Sequence, residues 1–376
     1  MIATQSGSRN TGRSRENNIN MTGTKCIDVT DLTRQETFGG EKGNRRFTVR
    51  FYYPGKDDPE RQPAELLTES KRKLCGRKAD FTLYNRRVRT YEDLDIQDGR
   101  FPLILFSHSY GGYAEQNSDL CSFLAGRGYI VASVAHTYEA EETIFTDGTV
   151  IPADPSLIEN NEPLIPTLRL ALRKLSPEEA LVRFSAYQEK YGRYSADHLE
   201  SWLQDDRCAM RTIREMTETE GSFLYHKIDY SHGIGVTGHS YGGNAAYAHC
   251  LEDDEISCGV NMDGGLFGHF GEKVNHKPFM QIVNKLNTNF VTRCFFYHDK
   301  AVHFLKFRHM MHQGFTDLKL IMKLPIVVGK EDPVLALDTL NEAHAAFFDR
   351  YLRQADTGNN TPLPIRTEAL ETYEVL

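Results

Sequence analysis

Ile234-Gly-Val-Thr-Gly-His-Ser-Tyr-Gly-Gly243 is the most informative stretch of the sequence. A short apolar run ends in Gly238-His-Ser-Tyr-Gly242, and small residues that suit a helix follow. Glycines two positions before and after Ser240 remove the Cβ atoms that would collide in a tight turn between a strand and a helix. This pattern is typical of a nucleophile elbow, which presents a serine at the carboxyl end of a sheet. Ser240 is therefore the candidate nucleophile, and an incidental Gly/Ser turn is the alternative.

Strand-like and helix-like segments alternate around this turn. An apolar run over 101–106 leads into a glycine-containing loop, a helix is predicted over about 116–127, and residues 129–136 form the next buried strand. Strand, helix and strand at this spacing make a βαβ unit, which implies a mostly parallel sheet with helices on both faces. Further strands are predicted over 45–53, 258–263, 278–284 and 324–328, with a strand-like run over 301–312 and a closing helix over 338–353.

The order of these elements predicts a single α/β domain over residues 23–376, with a helical insertion over about 137–230. Two long helical patterns occupy about 177–191 and 196–218 of the insertion. An apolar stretch with Leu164, Ile165, Leu168 and Leu172 precedes them. Packing against the domain is the simpler explanation of this stretch, and a lid or lipid-facing segment is the alternative.

Composition narrows the function classes. The 376 residues carry a formal net charge of −8, whereas general nucleic-acid binding needs a basic surface. Acidic residues flank the basic cluster over 71–89, so a solvated loop is expected there, with a surface for anionic headgroups as the alternative.

Targeting signals and cysteines bear on the expected location. The sequence shows neither the apolar core of a signal peptide nor an apolar run long enough to span a bilayer, and a cytoplasmic location is expected. The seven cysteines are scattered and form no C-x-x-C pair, which fits reduced thiols. Residues 1–22 are expected to be a disordered tail, with Met21 as an alternative start.

A serine nucleophile needs a histidine base and a carboxylate that orients it. On sheets with such an elbow, the carboxylate follows the serine in the chain and the histidine comes last. Asp263 ends the predicted strand after the elbow helix, next to the serine's own strand. Asp332 is the rival acid, after the predicted strand 324–328. Only His344 follows Asp332, inside the last predicted helix, so the chain order favours Asp263.

The base must come from the histidines after Asp263. His312 opens a loop after a strand-like run, where a catalytic histidine is expected, and His309 is its nearest rival. By strand alternation these two side chains face opposite sides. His108 and His136 end strands upstream of the serine and are expected to support the turn or the core. The other candidates are His269, His276, His298, His303 and His344.

Two backbone amides are expected to bind the oxyanion. One belongs to Tyr241, directly after the nucleophile, and the other to Tyr110, in the loop after the 101–106 strand. The substrate pocket is expected to include four neighbouring residues, His239, Gly264, Gly265 and Phe267.

Several ordered motifs resemble those of the plasma and intracellular type-II platelet-activating-factor acetylhydrolases, over roughly residues 46–354, although the middle insertion matches poorly. The similar stretches are Phe106-Ser-His-Ser-Tyr-Gly-Gly112, Val131-Ala-Ser-Val-Ala-His136, Gly238-His-Ser-Tyr-Gly-Gly243, Cys258-Gly-Val-Asn-Met-Asp263 and His312-Gln-Gly-Phe-Thr-Asp317. The resemblance implies an α/β-hydrolase fold and a calcium-independent serine hydrolase, without metal or cofactor, that releases short or oxidised sn-2 acyl groups from phospholipids. It assigns the nucleophile to Ser240, the acid to Asp263, the base to His312 and the oxyanion donors to Tyr110 and Tyr241.

Two positions depart from that family. Ser109 stands where the family tends to carry glycine, and Gly265 stands where mammalian members carry a bulky aromatic residue, which is expected to open the pocket. We therefore expect an esterase for short-acyl phospholipids, with transient contact to a membrane surface. The alternatives are a carboxylesterase, lipase or polyester-type hydrolase for other short-chain esters, and a non-catalytic binding protein of the same fold.

Overall fold

The computed structural model describes residues 21–40, 43–76, 78–156, 162–354, 356 and 361–376. Its strands are β1 (Thr22–Gln35), β2 (Asn44–Pro54), β3 (Thr90–Glu92), β4 (Phe101–Ser107), β5 (Ile130–Ala135), β6 (Glu142–Ile144), β7 (Val150–Pro152), β8 (Ile228–Asp229), β9 (Ile234–His239), β10 (Ile256–Met262), β11 (Phe279–Val283), β12 (Val302–Phe307) and β13 (Leu370–Val375). Its α-helices are α1 (Glu69–Leu74), α2 (Thr82–Arg87), α3 (Ser118–Gly126), α4 (Leu164–Ala171), α5 (Pro177–Tyr191), α6 (Arg193–Glu218), α7 (Tyr241–Glu252), α8 (Leu318–Ile321), α9 (Pro325–Val328) and α10 (Pro333–Phe348).

The main sheet runs in the order β13-β12-β11-β10-β9-β4-β5-β2-β1-β3. Strands β5, β4, β9, β10, β11 and β12 are mutually parallel, whereas β2 and β13 pair antiparallel at either side. From β4 the chain first passes to β5 on one side, and it later returns to β9 on the other side. The strand order therefore reverses between β4 and β9, and ligands of such sheets bind at the carboxyl ends beside this reversal.

Helices cover both faces of the sheet. Alternate residues of β4 enter different cores, as the twofold period of a strand requires. Leu103 and Leu105 pack with residues of α6 and α7, whereas Ile104 and Phe106 pack with residues of α3 and α10. The predicted mostly parallel sheet with helices on both faces is thus confirmed.

The insertion contains the two long helices that the sequence predicts, α5 and α6, and the shorter α4 before them. Ser176 caps α5 by accepting from the amide of Glu179, whose side chain accepts in turn from the Ser176 amide. This capping box fixes where α5 begins. Within the described ranges, no helix combines the length and the apolar character needed to cross a membrane.

Three features of the fold differ from the sequence prediction. The run 324–328 is not a strand but the helical turn α9, with Pro325 at its first position and Gly329, at φ 82°, after its end. The sequence does not predict strands β1 and β13. The tail predicted over 1–22 lies outside the described residues as far as residue 20, and Thr22 already belongs to β1.

Candidate active site

Ser240 lies in the turn between β9 and α7, with φ 55° and ψ −118°. Residues with a Cβ rarely adopt a positive φ, so the packing around the turn must hold this conformation. Two glycines make that packing possible. A Cβ on Gly238 would lie 2.3 Å from the carbonyl carbon of Gly242, and a Cβ on Gly242 would lie 2.0 Å from the carbonyl oxygen of Ser107. The elbow is therefore in backbone contact with the end of β4.

The structure brings the three predicted catalytic side chains together at this edge of the sheet. Nε2 of His312 lies 2.9 Å from Oγ of Ser240, and Nδ1 of His312 lies 2.7 Å from Oδ2 of Asp263. When Nδ1–H donates to the carboxylate, Nε2 is free to accept the serine proton. This geometry lets His312 act as a general base toward Ser240.

Asp263 is held in one orientation by two asparagines. Its Oδ1 accepts from the amide nitrogen of Asn284, and its Oδ2 accepts from Asn284 Nδ2, both at 2.7 Å. The Asp263 carbonyl accepts from Asn287 Nδ2 at 2.5 Å. The carboxylate is buried, so these donors replace the water that it would otherwise bind. Sequence reasoning missed both asparagines, although Asn284 ends the predicted strand 278–284.

Tyr110 and Tyr241 line the same cavity as Ser240, and both are expected to supply backbone amides. Tyr241 is the first residue of α7, and a helix leaves its first amides without internal partners. No residue in the described ranges accepts a hydrogen bond from the Tyr110 amide, whereas the next amide, that of Gly111, donates to the Glu139 carbonyl at 2.8 Å. Both tyrosine amides are thus available to an oxyanion.

A cavity of about 560 Å³ opens in front of Ser240. Gly265 and Phe267 line it, as predicted, together with Tyr110, Tyr241 and His312. The expected widening at Gly265 is offset, because a Cβ there would lie 2.7 Å from the ring of Phe267. The space that a larger side chain would fill is therefore already taken by that phenylalanine.

The other two pocket predictions are corrected. His239 is fully buried and points away from the cavity, toward Gln116 and the carbonyl of His312. Gly264 is also buried, and a Cβ there would lie 2.0 Å from the carbonyl oxygen of Ser240. Both residues pack against the turn at Ser240 without lining the cavity.

The rival candidates have other roles in the structure. The carboxylate of Asp332 caps α10 by accepting from the amides of Val334 and Leu335, each at 2.9 Å. His309 is exposed, and His344 bonds the Leu340 carbonyl inside α10.

The two upstream histidines support the core. His108 Nε2 accepts from the amide of His136 at 3.0 Å, and burial is the main cause that lowers the pKa of His108 to about 3. The ring of His136 stacks on Trp202 at 3.7 Å. Neither side chain reaches the cavity in front of Ser240.

The site combines a serine on an elbow beside the strand-order reversal with a histidine and a carboxylate that hydrogen bonds join to it in series. It also offers two unpaired backbone amides. Together these features define a class of protein. That class is the serine hydrolases of the α/β-hydrolase fold.

Comparisons with known proteins agree with this class. The sequence profile described as "Platelet-activating factor acetylhydrolase, isoform II" matches residues 20–150 and 215–365. Platelet-activating factor acetylhydrolase from Cavia porcellus is 24% identical over 362 residues, which cover 88% of this chain and 77% of that protein. The Bos taurus enzyme of the same name is 24% identical over 88% of this chain and 76% of its own length. A solved ferulic acid esterase from Streptomyces cinnamoneus superimposes with a TM-score of 0.68 at 23% identity, covering 95% of this chain and 96% of that one.

The chain belongs to the platelet-activating factor acetylhydrolase isoform II family. It is a serine ester hydrolase with the α/β-hydrolase fold. The family match omits residues 151–214, which contain α4, α5 and most of α6. The insertion is therefore where this chain departs from the family pattern.

Proposed function

We propose that the protein hydrolyses the sn-2 ester of phospholipids whose acyl group at that position is short or oxidised. The observation that carries this proposal is the hydrogen-bonded series from Ser240 Oγ through His312 to Asp263, with distances of 2.9 and 2.7 Å. Membership of the family supports a carboxylic ester as the bond that is broken.

The first step transfers the acyl group to Ser240. As Oγ attacks the ester carbonyl carbon, its proton passes to Nε2 of His312, and the carbonyl oxygen becomes an oxyanion that accepts from the amides of Tyr110 and Tyr241. His312 then protonates the leaving alcohol. In the second step water gives a proton to Nε2 of His312 and attacks the acyl carbonyl carbon. The bond to Oγ of Ser240 then breaks, Oγ takes the proton back from His312, and the acid is released. Asp263 stabilises the imidazolium in both steps.

The lining of the cavity supports a substrate with a cationic group. The acidic residues Asp154 and Glu162 line it, and so do the aromatic residues Tyr110, Tyr241 and Phe267. No lysine or arginine occurs among the described residues that line it. Carboxylates and aromatic faces attract quaternary ammonium groups, and a choline headgroup carries such a group.

Small soluble carboxylic esters are the second candidate substrate class. The side chain of His312 is 42% exposed, so the reacting groups are open to solvent without any lipid surface.

A panel of esters tests the substrate class. We expect 2-acetyl phosphocholine to be cleaved faster than a long-chain 2-acyl phosphocholine, and faster than the 2-acetyl ester of an anionic phosphoglycerol lipid. Short p-nitrophenyl esters serve as the soluble reference. Cleavage of the p-nitrophenyl esters together with failure on every phospholipid would replace the phospholipid proposal with the second candidate.

A fluorophosphonate probe tests the nucleophile. We expect the wild-type protein to be labelled once per chain and the Ser240→Ala variant to remain unlabelled. Equal labelling of the two proteins would overturn the role given to Ser240 and favour a non-catalytic binding protein.

We also propose that the insertion contacts an anionic membrane surface while the substrate enters. Leu164, Ile165, Leu168 and Leu172 are exposed at 70, 64, 39 and 68% and follow one another at helical spacing on α4 and directly after it. Arg169, Arg173 and Lys174 are exposed nearby, and residues 164–175 contain no acidic residue. Apolar side chains with flanking cations suit an anionic bilayer, where each cation contributes about 1 kcal/mol.

Sedimentation with vesicles tests this contact. Wild-type protein should sediment with phosphatidylglycerol vesicles more than with phosphatidylcholine vesicles, and Leu164→Ser with Leu168→Ser should abolish the difference. Leu32→Ser is the matched control, since Leu32 is 78% exposed on β1, outside the insertion. Equal sedimentation with both vesicle types would contradict the proposal, as would self-association that the same substitutions remove.

A further inference from the structure

A buried series of side chains connects the oxyanion-binding loop, residues 108–112 with Tyr110, to the base loop, residues 312–317, which begins with the 3₁₀ turn His312–Phe315. Oε1 of Gln116 accepts from Ser109, from the amide at 3.2 Å and from Oγ at 2.6 Å. Nε2 of Gln116 lies 2.8 Å from Nδ1 of His239. On the other side of the ring, Nε2 of His239 lies 3.0 Å from the carbonyl oxygen of His312. One glutamine and one histidine thus span the distance between the two loops.

The direction of each hydrogen bond follows from the partners. Because Oε1 of Gln116 already accepts two hydrogen bonds from Ser109, its NH₂ group must face His239. Nδ1 of His239 therefore accepts, and the ring proton is on Nε2, where it donates to the His312 carbonyl. The series has a single consistent direction, from Ser109 through Gln116 and His239 to the backbone of His312.

The surroundings keep His239 neutral, as this direction requires. Burial lowers the pKa of His239 well below its usual value, and the neighbouring His312 lowers it further. A protonated His239 would lose its acceptor for Gln116. It would also place a positive charge beside His312, because the two ring centroids are 4.6 Å apart. Such a charge would disfavour the imidazolium that forms on His312 during the reaction.

The segment that holds Gln116 also fastens the far end of the base loop. Asn117 Nδ2 donates to the Phe315 carbonyl at 2.6 Å, and the Asp317 amide donates to the Gln116 carbonyl at 3.1 Å. Gln116 and Asn117 are 5% and 2% exposed, so water does not compete for these bonds. The base loop is therefore held at both His312 and Phe315.

We propose that Gln116 and His239 are positioning residues that keep the oxyanion-binding loop and the base loop at a fixed distance and orientation to each other. Neither residue lines the cavity in front of Ser240. His239 holds the backbone of His312 through its hydrogen bond to the carbonyl. Gln116 bonds both His239 and Ser109, the residue before Tyr110, and so links the two loops. Ser109 stands where the resembling enzymes tend to carry glycine, which has no side chain to bind Gln116. The inference rests on the proposed ester hydrolysis for its readout.

The test measures kcat per active site. Fluorophosphonate labelling taken to its end point counts active sites, and turnover of p-nitrophenyl acetate is divided by that count. For Gln116→Leu and His239→Leu we expect kcat per site to fall about 10- to 100-fold with KM unchanged, because displaced reacting groups cost about this much. His239→Gln keeps an amide donor and acceptor and should recover part of the loss. The double variant should lose little more than the worse single variant, since both act in one series.

His303→Leu is the matched control. His303 is also a buried histidine, bonded to the hydroxyls of Tyr373 and Tyr351 at 2.8 and 2.7 Å, in β12. We expect this variant to lower stability while kcat per site stays at the wild-type value. Fewer labelled sites with an unchanged kcat per site in Gln116→Leu and His239→Leu would show a purely structural role and overturn the proposal. Failure of the wild-type protein to label would instead overturn the proposed ester hydrolysis.

Discussion

Ser240 and Asp263 share an unusual backbone conformation at neighbouring positions of the sheet. Both are non-glycine residues with positive φ, 55° and 58°, and each follows the last residue of its strand, β9 or β10. Such conformations persist only when their surroundings determine them. At Asp263 the surroundings are Asn284 and Asn287, which bind its carboxylate and its carbonyl. Backbone strain is thus located at the two residues whose side chains must meet one histidine.

The Asp263→Asn variant tests the orienting role of this carboxylate. An amide can donate to Nδ1 of His312, which leaves the proton on Nε2 and removes the base. We expect kcat to fall by about 10⁴-fold with the fold intact. Ester turnover and circular dichroism measure the two effects. Asp332→Asn is the matched control and should change neither, because asparagine caps a helix as well as aspartate does. Loss of activity in Asp332→Asn alone would reverse the assignment of the acid.

Sequence reasoning could find the residues whose positions follow from chain order and strand ends. Ser240, Asp263 and His312 each follow a strand or strand-like run, and the rule on their order selects among the candidates. It could not find Gln116 or the orientation of His239, because their partners come from segments far apart in the chain. A side chain next to the nucleophile can point into the pocket or behind it, and only the packing decides.

The elbow leaves no room for a side chain at Gly242. For Gly242→Ala we expect destabilisation by about 3 kcal/mol and loss of activity, because the added methyl would lie 2.0 Å from the Ser107 carbonyl oxygen and force α7 away from β4. Urea unfolding measures the first effect and ester turnover the second. Gly126→Ala is the control, since the nearest atom to its Cβ is 3.8 Å away, and it should be neutral or slightly stabilising. If the Gly242→Ala variant is as stable as the wild-type protein, the turn relaxes enough to accommodate the added methyl group.

The differences between the predicted and the observed elements have identifiable physical causes. The run 324–328 contains the β-branched residues that favour strands, yet Ile326 is 77% exposed and α9 buries only Val328. The strand propensity of the β-branched residues is therefore outweighed by Pro325, which favours the first position of a helical turn. Strands β1 and β13 lie toward the edges of the sheet and mix polar with apolar residues. Their pairing partners, β2 and β12, determine them more than their own pattern does.

Helix α6 anchors the insertion to the body of the domain through buried charges. Asp205 on this helix accepts from Arg45 of β2 through both carboxylate oxygens, at 3.1 and 2.7 Å, and His136 approaches it at 3.1 Å. Trp202, one turn earlier, packs edge-on against Tyr241 at 4.8 Å. Helix α6 is thus held against the body of the domain, next to the active site.

The Asp205→Ala variant tests this anchor. It leaves Arg45 buried without its main partner, and breaking a buried pair costs about 3–5 kcal/mol. We expect urea unfolding to show a loss of that size. The exposed Asp254 provides the control, because its replacement by alanine should change stability by less than about 0.5 kcal/mol. A similarly small effect of Asp205→Ala would mean that α6 is held by its apolar contacts alone.

Over the whole molecule, charge burial should make stability depend on pH. His249 in α7 lies between two carboxylates, with Nε2 3.0 Å from Asp206 and Nδ1 2.6 Å from Asp253. Burial opposes its charge, but the hydrogen bonds to both carboxylates outweigh burial and raise the pKa of His249 to about 9. Burial also opposes the charge of Asp253, but the hydrogen bonds from His249 and Arg207 lower its pKa to about 2.

The signs of these shifts define a pH window. A histidine with a raised pKa binds its proton more tightly in the folded state, so its contribution is complete below about pH 6.5 and is lost as pH rises through 9. Asp253 contributes above about pH 4, and this contribution is lost as pH falls through 2. The two groups together therefore favour the folded state most between about pH 4 and 6.5.

Urea unfolding at a series of pH values tests the alkaline side. From pH 6.5 to 9 we expect the wild-type free energy of unfolding to fall by on the order of 3 kcal/mol, the equivalent of His249's shift at about 1.4 kcal/mol per pKa unit. The His249→Gln variant cannot titrate, so it should start less stable and lose much less over the same interval. His303→Leu serves as the reference, since burial lowers the pKa of His303 to about 3 and this histidine does not titrate in the folded state above pH 6.5. Parallel curves for wild type and His249→Gln would show that the buried carboxylates bind a neutral histidine instead.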